Sequence, residues 1–141
     1  MELLCIVLVI SSMMGVVGVV LSSDSWQRSE AEYEARRLTR WLTNRYWQSI
    51  MYTRPFFLTV GRTNNKLILL TWLDPVEKEK FQVQECYACR LGSGMLAMYQ
   101  PLYRTLTPGM TIEIRSDMVA APWGKIVLPV KGYPYLEWYA H

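Results

Sequence analysis

Histidine is almost absent from this 141-residue chain; the only one is His141, at the very end, where chains fray. That excludes a well-ordered Ser-His-Asp or Cys-His nucleophilic site and a histidine-rich metal cluster. A phosphate loop is missing too: Gly92-Ser93-Gly94 lacks the following Lys-Thr or Lys-Ser and reads as a turn. Composition leaves room for paired carboxylates, but no spacing points to a pair. No enzyme activity, cofactor or metal is expected. Charge is sparse as well, 19% against 51% hydrophobic residues with a mean hydropathy of +0.05, so wholesale disorder is excluded. Only one long apolar run exists, and the lack of a second rules out a multi-span transporter.

That run lies at the start. No charged residue falls between Leu3 and Ser23, and 21 helical residues rise about 31 Å against a hydrocarbon core of roughly 30 Å. A secretory signal peptide would carry Lys or Arg ahead of a shorter run and end at small residues. Here the only early charge is Glu2, and Val20-Leu21-Ser22-Ser23 is a poor cleavage site. Membrane insertion is the main reading. Arg28, Arg36, Arg37 and Arg40 follow the run and nothing basic precedes it. Alone, the positive-inside rule would place the rest of the chain in the cytoplasm, and a basic leader ahead of Met1 would reverse that. Glu2 has two readings, a carboxylate resting among headgroups or one drawn into hydrocarbon and paired there.

Past Ser23 neither Pro nor Gly occurs before Pro55. Ala31, Ala35, Leu38, Leu42, Tyr46 and Ser49/Ile50 recur at spacings of four and three, which marks one face of a helix. Glu30, Glu32 and Glu34 precede Arg36, Arg37 and Arg40, the favourable acid-first order for pairs one turn apart. The pattern predicts one helix to about residue 51, apolar in its first half and amphipathic in its second.

From Pro55 the period becomes extended. Strands are expected at Phe56 to Val60, Lys66 to Trp72, Phe81 to Gln84, Met95 to Tyr99, Met110 to Arg115, Lys125 to Val130 and Tyr135 to Tyr139. Asn64-Asn65, Asp74-Pro75, Thr107-Pro108-Gly109 and Lys131-Gly132-Tyr133-Pro134 supply the turns. The expected fold class is α+β. It comprises a transmembrane half-helix over 1–23, an amphipathic half over 24–52 and an antiparallel β domain over 53–141 against which the long N-terminal helix packs.

Cys86-Tyr87-Ala88-Cys89 is the one local chemical motif. Zinc would need two more ligands, and a thioredoxin-like redox pair should open a helix after a strand. A structural disulfide between Cys86 and Cys89 is expected if the domain lies outside the cytoplasm, with free thiols as the alternative. On a straight strand the two side chains would face opposite ways, so a bond requires a tight turn at Tyr87-Ala88. The net charge is +3, and Arg36, Arg37, Arg40 and Arg45 lie near Trp41 and Trp47. That mixture has the ingredients of a phosphate footprint with stacking partners. A solvated helix face explains it equally simply and is preferred, so nucleic acid is not an expected partner.

Met1-Glu2-Leu3-Leu4-Cys5-Ile6-Val7-Leu8-Val9-Ile10, followed by the apolar run and a helix of about 50 residues, resembles the type IV pilins and type II secretion pseudopilins. Ala35-Arg36-Arg37-Leu38 and the helix after it are most similar to the H-type, FimT-like minor pseudopilins. The resemblance covers about the first 50 residues; the cleavage glycine and the first residues of the mature pattern do not appear. It implies a prepilin-type subunit whose leader is removed and whose β domain, containing two small sheets, lies outside an inner membrane crossed once. It assigns Glu2 to assembly, its carboxylate meeting the N-terminal amine of a neighbour. The implied partners are other pilin or pseudopilin subunits, an inner-membrane assembly platform and the lipid bilayer. The implied role is a filament subunit for protein secretion or pilus biogenesis. Two alternatives from other classes are a single-pass envelope binding protein and a competence-type minor pilin that captures DNA through Arg36 to Arg45.

Overall fold

Nine elements make up the computed structural model among its described residues. They are helix α1 (Glu2–Tyr52) and strands β1 (Phe56–Val60), β2 (Leu67–Trp72), β3 (Glu77–Gln82), β4 (Leu96–Gln100), β5 (Thr105–Thr107), β6 (Met110–Ile114), β7 (Gly124–Leu128) and β8 (Tyr135–Trp138). The structure describes the backbone of residues 2–61, 66–83, 96–115 and 121–140; within α1 the side chains of residues 2–5, 8 and 11–24 fall outside the description. The chain divides into two units, Met1–Glu30 and Ala31–His141.

Two expectations are corrected here. Among the described residues no helix is long and apolar enough to cross a membrane. The transmembrane half-helix and the single-pass inner-membrane location with an outside β domain are therefore not retained. The described side chains of α1 from Ser25 onward include Arg28, Glu30, Glu32, Glu34, Arg36, Arg37, Arg40 and Arg45. Each of the arginines would cost about 2.5–3.5 kcal/mol at the centre of a bilayer. The fold class is corrected as well. The larger unit is mostly β, two antiparallel sheets with only residues 31–52 of α1 belonging to it, rather than a β domain laid on a long N-terminal helix.

Within the larger unit, the stripe Ala31, Ala35, Leu38, Leu42, Tyr46 and Ser49 is at most 2% exposed. The four-and-three spacing puts these side chains over one another on a single face, which is the face the sheets cover. Helix α1 ends in a Schellman turn: Arg54 N–H donates to the Ser49 carbonyl at 3.0 Å and Thr53 N–H to that of Ile50 at 3.4 Å. Thr53 takes the left-handed position at φ 50° where glycine is usual. Ser49 Oγ donates to the Arg54 carbonyl at 2.5 Å, which satisfies a buried hydroxyl and ties the chain reversal to the helix.

The first sheet has the order β3-β2-β1-β4-β5 and the second β6-β7-β8, all neighbours antiparallel. Strict alternation in β1, β2 and β7 sends every second side chain inward: Phe56, Leu58, Val60, then Ile68, Leu70, Trp72, then Ile126 and Leu128. An aromatic cluster forms the centre of the core. The Tyr46 ring lies 4.3 Å from Tyr99 and 5.7 Å from Phe56, and Phe56 lies 5.1 Å from Tyr99 and 5.3 Å from Trp72. The two sheets meet where Thr105 bridges Lys131 and Leu106 N–H donates to the Val130 carbonyl at 2.9 Å. Gly124, central in the second sheet, faces Trp138 so closely that a Cβ there would sit 2.4 Å from the indole and 2.7 Å from the Glu137 carbonyl oxygen.

Candidate functional site

On either side of its buried stripe, the 31–52 stretch of α1 presents two flanks of different chemistry. The first flank meets β3, the edge strand of the larger sheet. Arg37 stacks over Phe81 at 4.7 Å, and Trp41 packs on the same ring at 5.5 Å. Arg45 lies over Trp41 at 5.1 Å and donates through Nε to Glu79 at 2.6 Å. The other oxygen of Glu79 accepts the Trp72 indole N–H at 2.9 Å. Spacings of four along the helix bring residues 37, 41 and 45 into one row, and alternation along β3 sends 77, 79 and 81 to meet them.

Where this flank ends, Gln48, Tyr52, Arg54, Trp72, Asp74, Glu77 and Glu79 line an open cavity of about 520 Å³. Arg54 fills its floor: the guanidinium lies 5.2 Å over Trp72, donates to the Leu73 carbonyl at 3.2 Å and to Glu77 at 3.0 Å, and also meets the Pro75 carbonyl. The protein's own cations thus answer two of the three carboxylates. The cavity is a structural joint between α1 and the β2–β3 turn. Among the described residues no group of three or more His, Cys, Asp or Glu could hold a metal ion.

The second flank carries Arg36, Thr39, Arg40, Thr43 and Asn44, which with Leu136 of β8 line a shallower cavity of about 450 Å³. One turn further on, Trp47 stacks on Tyr133 with ring centres 5.3 Å apart. The four arginines singled out in the sequence therefore do not share a face. Arg37 and Arg45 point to β3, whereas Arg36 and Arg40 lie on the β8 side. Three of them are engaged: Arg36 with Glu32 at 2.6 Å, Arg37 with the buried Glu34 at 2.8 Å, and Arg45 with Glu79. Arg36 and Glu32 form an exposed pair of the kind worth about 0.3–0.5 kcal/mol. Cations divided between two flanks do not form one phosphate footprint.

Glu2 lies on the helical backbone of α1, with its side chain outside the described residues. Cys86 and Cys89, and the turn expected between them, also lie outside the described residues.

The smaller unit, Met1–Glu30, is helical throughout its described backbone. Ile6, Val7, Val9 and Ile10 are 52–57% exposed. At 100° per residue these four positions span well over a third of the helix circumference. An apolar surface that wide on a helix calls for cover from outside it. In residues 31–52 the regular apolar stripe is already buried, although Trp47, Met51 and Tyr52 at the end of the helix stay exposed.

Buried ionisable groups cluster elsewhere, in the core. Burial raises the Tyr46 hydroxyl well above its ordinary range, with the neighbouring Tyr99 adding to the effect. Burial likewise raises Tyr99, helped by Tyr133 and opposed by Arg104. Among the described residues the Tyr46 hydroxyl has no hydrogen-bond partner. The sequence reading missed both this cluster and the Trp72–Glu79–Arg45 clamp. The arginines were legible, and their division between flanks follows from spacing: 36 with 40, and 37 with 41 and 45.

Comparison with protein-family models, with curated proteins and with solved structures returned no match.

Proposed function

We propose that this chain is a non-enzymatic filament subunit of the minor pilin or pseudopilin kind, serving protein secretion or pilus biogenesis. The observation that carries the reading is the exposed apolar surface of Ile6, Val7, Val9 and Ile10 on the Met1–Glu30 helix. In an isolated molecule this surface stays in water; in a filament, helices of neighbouring subunits cover it. Burying it at about 25 cal/mol per Å² is the main driving force for assembly. Glu2, at the head of the same helix, sets the axial register: a carboxylate withdrawn from water is tolerated only where a partner such as a neighbour's N-terminal amine meets it. The Ala31–His141 unit has its own core.

The quadruple change of Ile6, Val7, Val9 and Ile10 to Ser in the full chain is expected to remove it from sheared filament fractions of the cells that express it. The unfolding midpoint of the Ala31–His141 unit should stay where it was. Glu2→Ala is expected to have the same selective effect. Recovery of the quadruple variant in filaments at the wild-type level would refute the assignment. The single-pass envelope tether is not retained, given the membrane correction above. DNA capture is not favoured, because the four arginines divide between two flanks of the helix.

A further inference from the structure

Acidic residues are unevenly placed along the chain: none occurs in residues 35–73, 86–112 or 118–136. The fold brings parts of all three stretches together. The β4–β5 turn, Pro101-Leu102-Tyr103-Arg104, lies beside the segment Val130-Lys131-Gly132-Tyr133 that leads to β8, because Thr105 bridges Lys131 and Leu106 hydrogen-bonds to Val130. Trp47 joins them by stacking on Tyr133, and Met51 follows one helical turn later. Leu102 is 73% exposed, Tyr103 70%, Met51 73%, Val130 51% and Trp47 50%.

Each of the two adjacent loops presents an aliphatic residue, a tyrosine and a cation. Arg104 N–H closes its turn on the Pro101 carbonyl at 3.3 Å, with Arg104 itself in the left-handed region at φ 52°. That closure holds Leu102 and Tyr103 out at the tip. Among the described residues neither Arg104 nor Lys131 has a carboxylate partner. In the second sheet Glu137 of β8 is held by Lys125 at 2.9 Å, and at this end of the first sheet Asp74 lies in the β2–β3 turn, across β2, β1 and β4 from β5. At about 4.8 Å per strand that is beyond the screening length at physiological salt.

We propose that these twin loops are an interfacial contact for an anionic lipid surface, made by side-chain tips without any span of the bilayer. The chemistry selects this partner. Tyrosine and tryptophan settle at the headgroup level, aliphatic tips enter just below it, and lysine and arginine meet the lipid phosphates. With one cation in each loop and no acid in either, the surface complements lipid phosphates. The contact is independent of the filament reading, since it uses none of the residues of the Met1–Glu30 unit.

Hydrogen exchange read by mass spectrometry on the full chain tests this locally, so lipid contacts made elsewhere on the molecule do not obscure it. Vesicles of phosphatidylcholine containing phosphatidylglycerol are expected to slow exchange in peptides covering 101–104 and 130–133, and added salt is expected to relieve the effect. Phosphatidylcholine alone is expected to leave those peptides unchanged. The double change Arg104→Ser and Lys131→Ser should abolish the protection, as should Leu102→Ser with Tyr103→Ser. Three results would overturn the proposal: unchanged exchange on anionic vesicles, equal protection on both lipids, or protection by a single-stranded oligonucleotide but not by vesicles. Protection that rises with protein concentration in the absence of lipid would reassign the surface to contact between copies. Loss of filament assembly in the Ile6 to Ile10 variant, with loop protection intact, would keep the two proposals apart.

Discussion

Phe56→Ala is expected to destabilise the Ala31–His141 unit by about 3–5 kcal/mol, the range for emptying a buried aromatic site. Phe56 is fully buried and touches three other rings: Tyr46 from the helix, Tyr99 from β4 and Trp72 from β2. It is also the first residue of the strand paired on both sides, with Trp72 on one and Tyr99 on the other. Removing the ring leaves a void that three rigid neighbours cannot fill by rotation, so relaxation recovers little of the loss. Against total stabilities of about 5–15 kcal/mol for ordinary domains, that loss is a large share of the whole. Urea titration followed by tryptophan fluorescence should show a lower midpoint with an unchanged slope. A midpoint within the error of the wild type would mean the aromatic cluster is not the centre of the core.

The second large effect is on pH. Tyr46 is held protonated in the folded protein well above the ordinary value of 10.0, by burial first and by Tyr99 second. Below pH 10 the side chain is neutral in both folded and unfolded chains and stability does not depend on it. Above pH 10 the unfolded chain releases this proton and the folded one keeps it, so stability falls as pH rises, by about 1.4 kcal/mol per pH unit. Tyr99, raised for the same primary reason, acts in the same direction. Tyr46→Phe is expected to remove the Tyr46 part of that alkaline slope. It should also raise stability at neutral pH by about 1 kcal/mol, because it deletes a buried hydroxyl with no described partner. Urea midpoints measured from pH 8 to pH 11 would show the two curves diverging above pH 10; parallel curves would contradict the argument.

The helix stripe was legible because its four-and-three spacing has only one physical solution, and all six positions are buried. Strand β1 was legible to the residue, since Phe56 to Val60 alternates between Pro55 and Gly61. Strand β3 was displaced in the reading. Glu77-Lys78-Glu79-Lys80 shows no alternation of apolar and polar residues, because this edge strand exposes most of its side chains. Strand β5 escaped notice because three residues between Pro101 and Pro108 carry too little pattern. The membrane-spanning expectation rested on an uncharged run, and among the described residues no helix meets the requirement. The arginine reading counted charges without their angles, and angles are what decide whether four cations act as one surface. The twin loops had a signal in the sequence, the three acid-free stretches, but only the Thr105–Lys131 bridge brings the loops side by side.

The strand order β3-β2-β1-β4-β5 also has a kinetic meaning. β1, β2 and β3 form a meander in which Trp72 meets Glu77 and Val60 meets Ile68, all close in sequence. β4 must return past all three to join β1, pairing Phe56 with Tyr99 and Thr59 with Leu96. Closing a loop that long costs more chain entropy than closing a hairpin, and the cost precedes the reward of the contacts. Tyr46 finds Phe56 through the short turn at Thr53 but reaches Tyr99 only after β4 has docked. The helix and meander are thus expected to assemble first as a nucleus around Phe56, with the docking of β4 setting the folding rate. Measured φ-values should accordingly be higher at Leu70 than at Ala97; the reverse order would place the nucleus on the far side of the sheet.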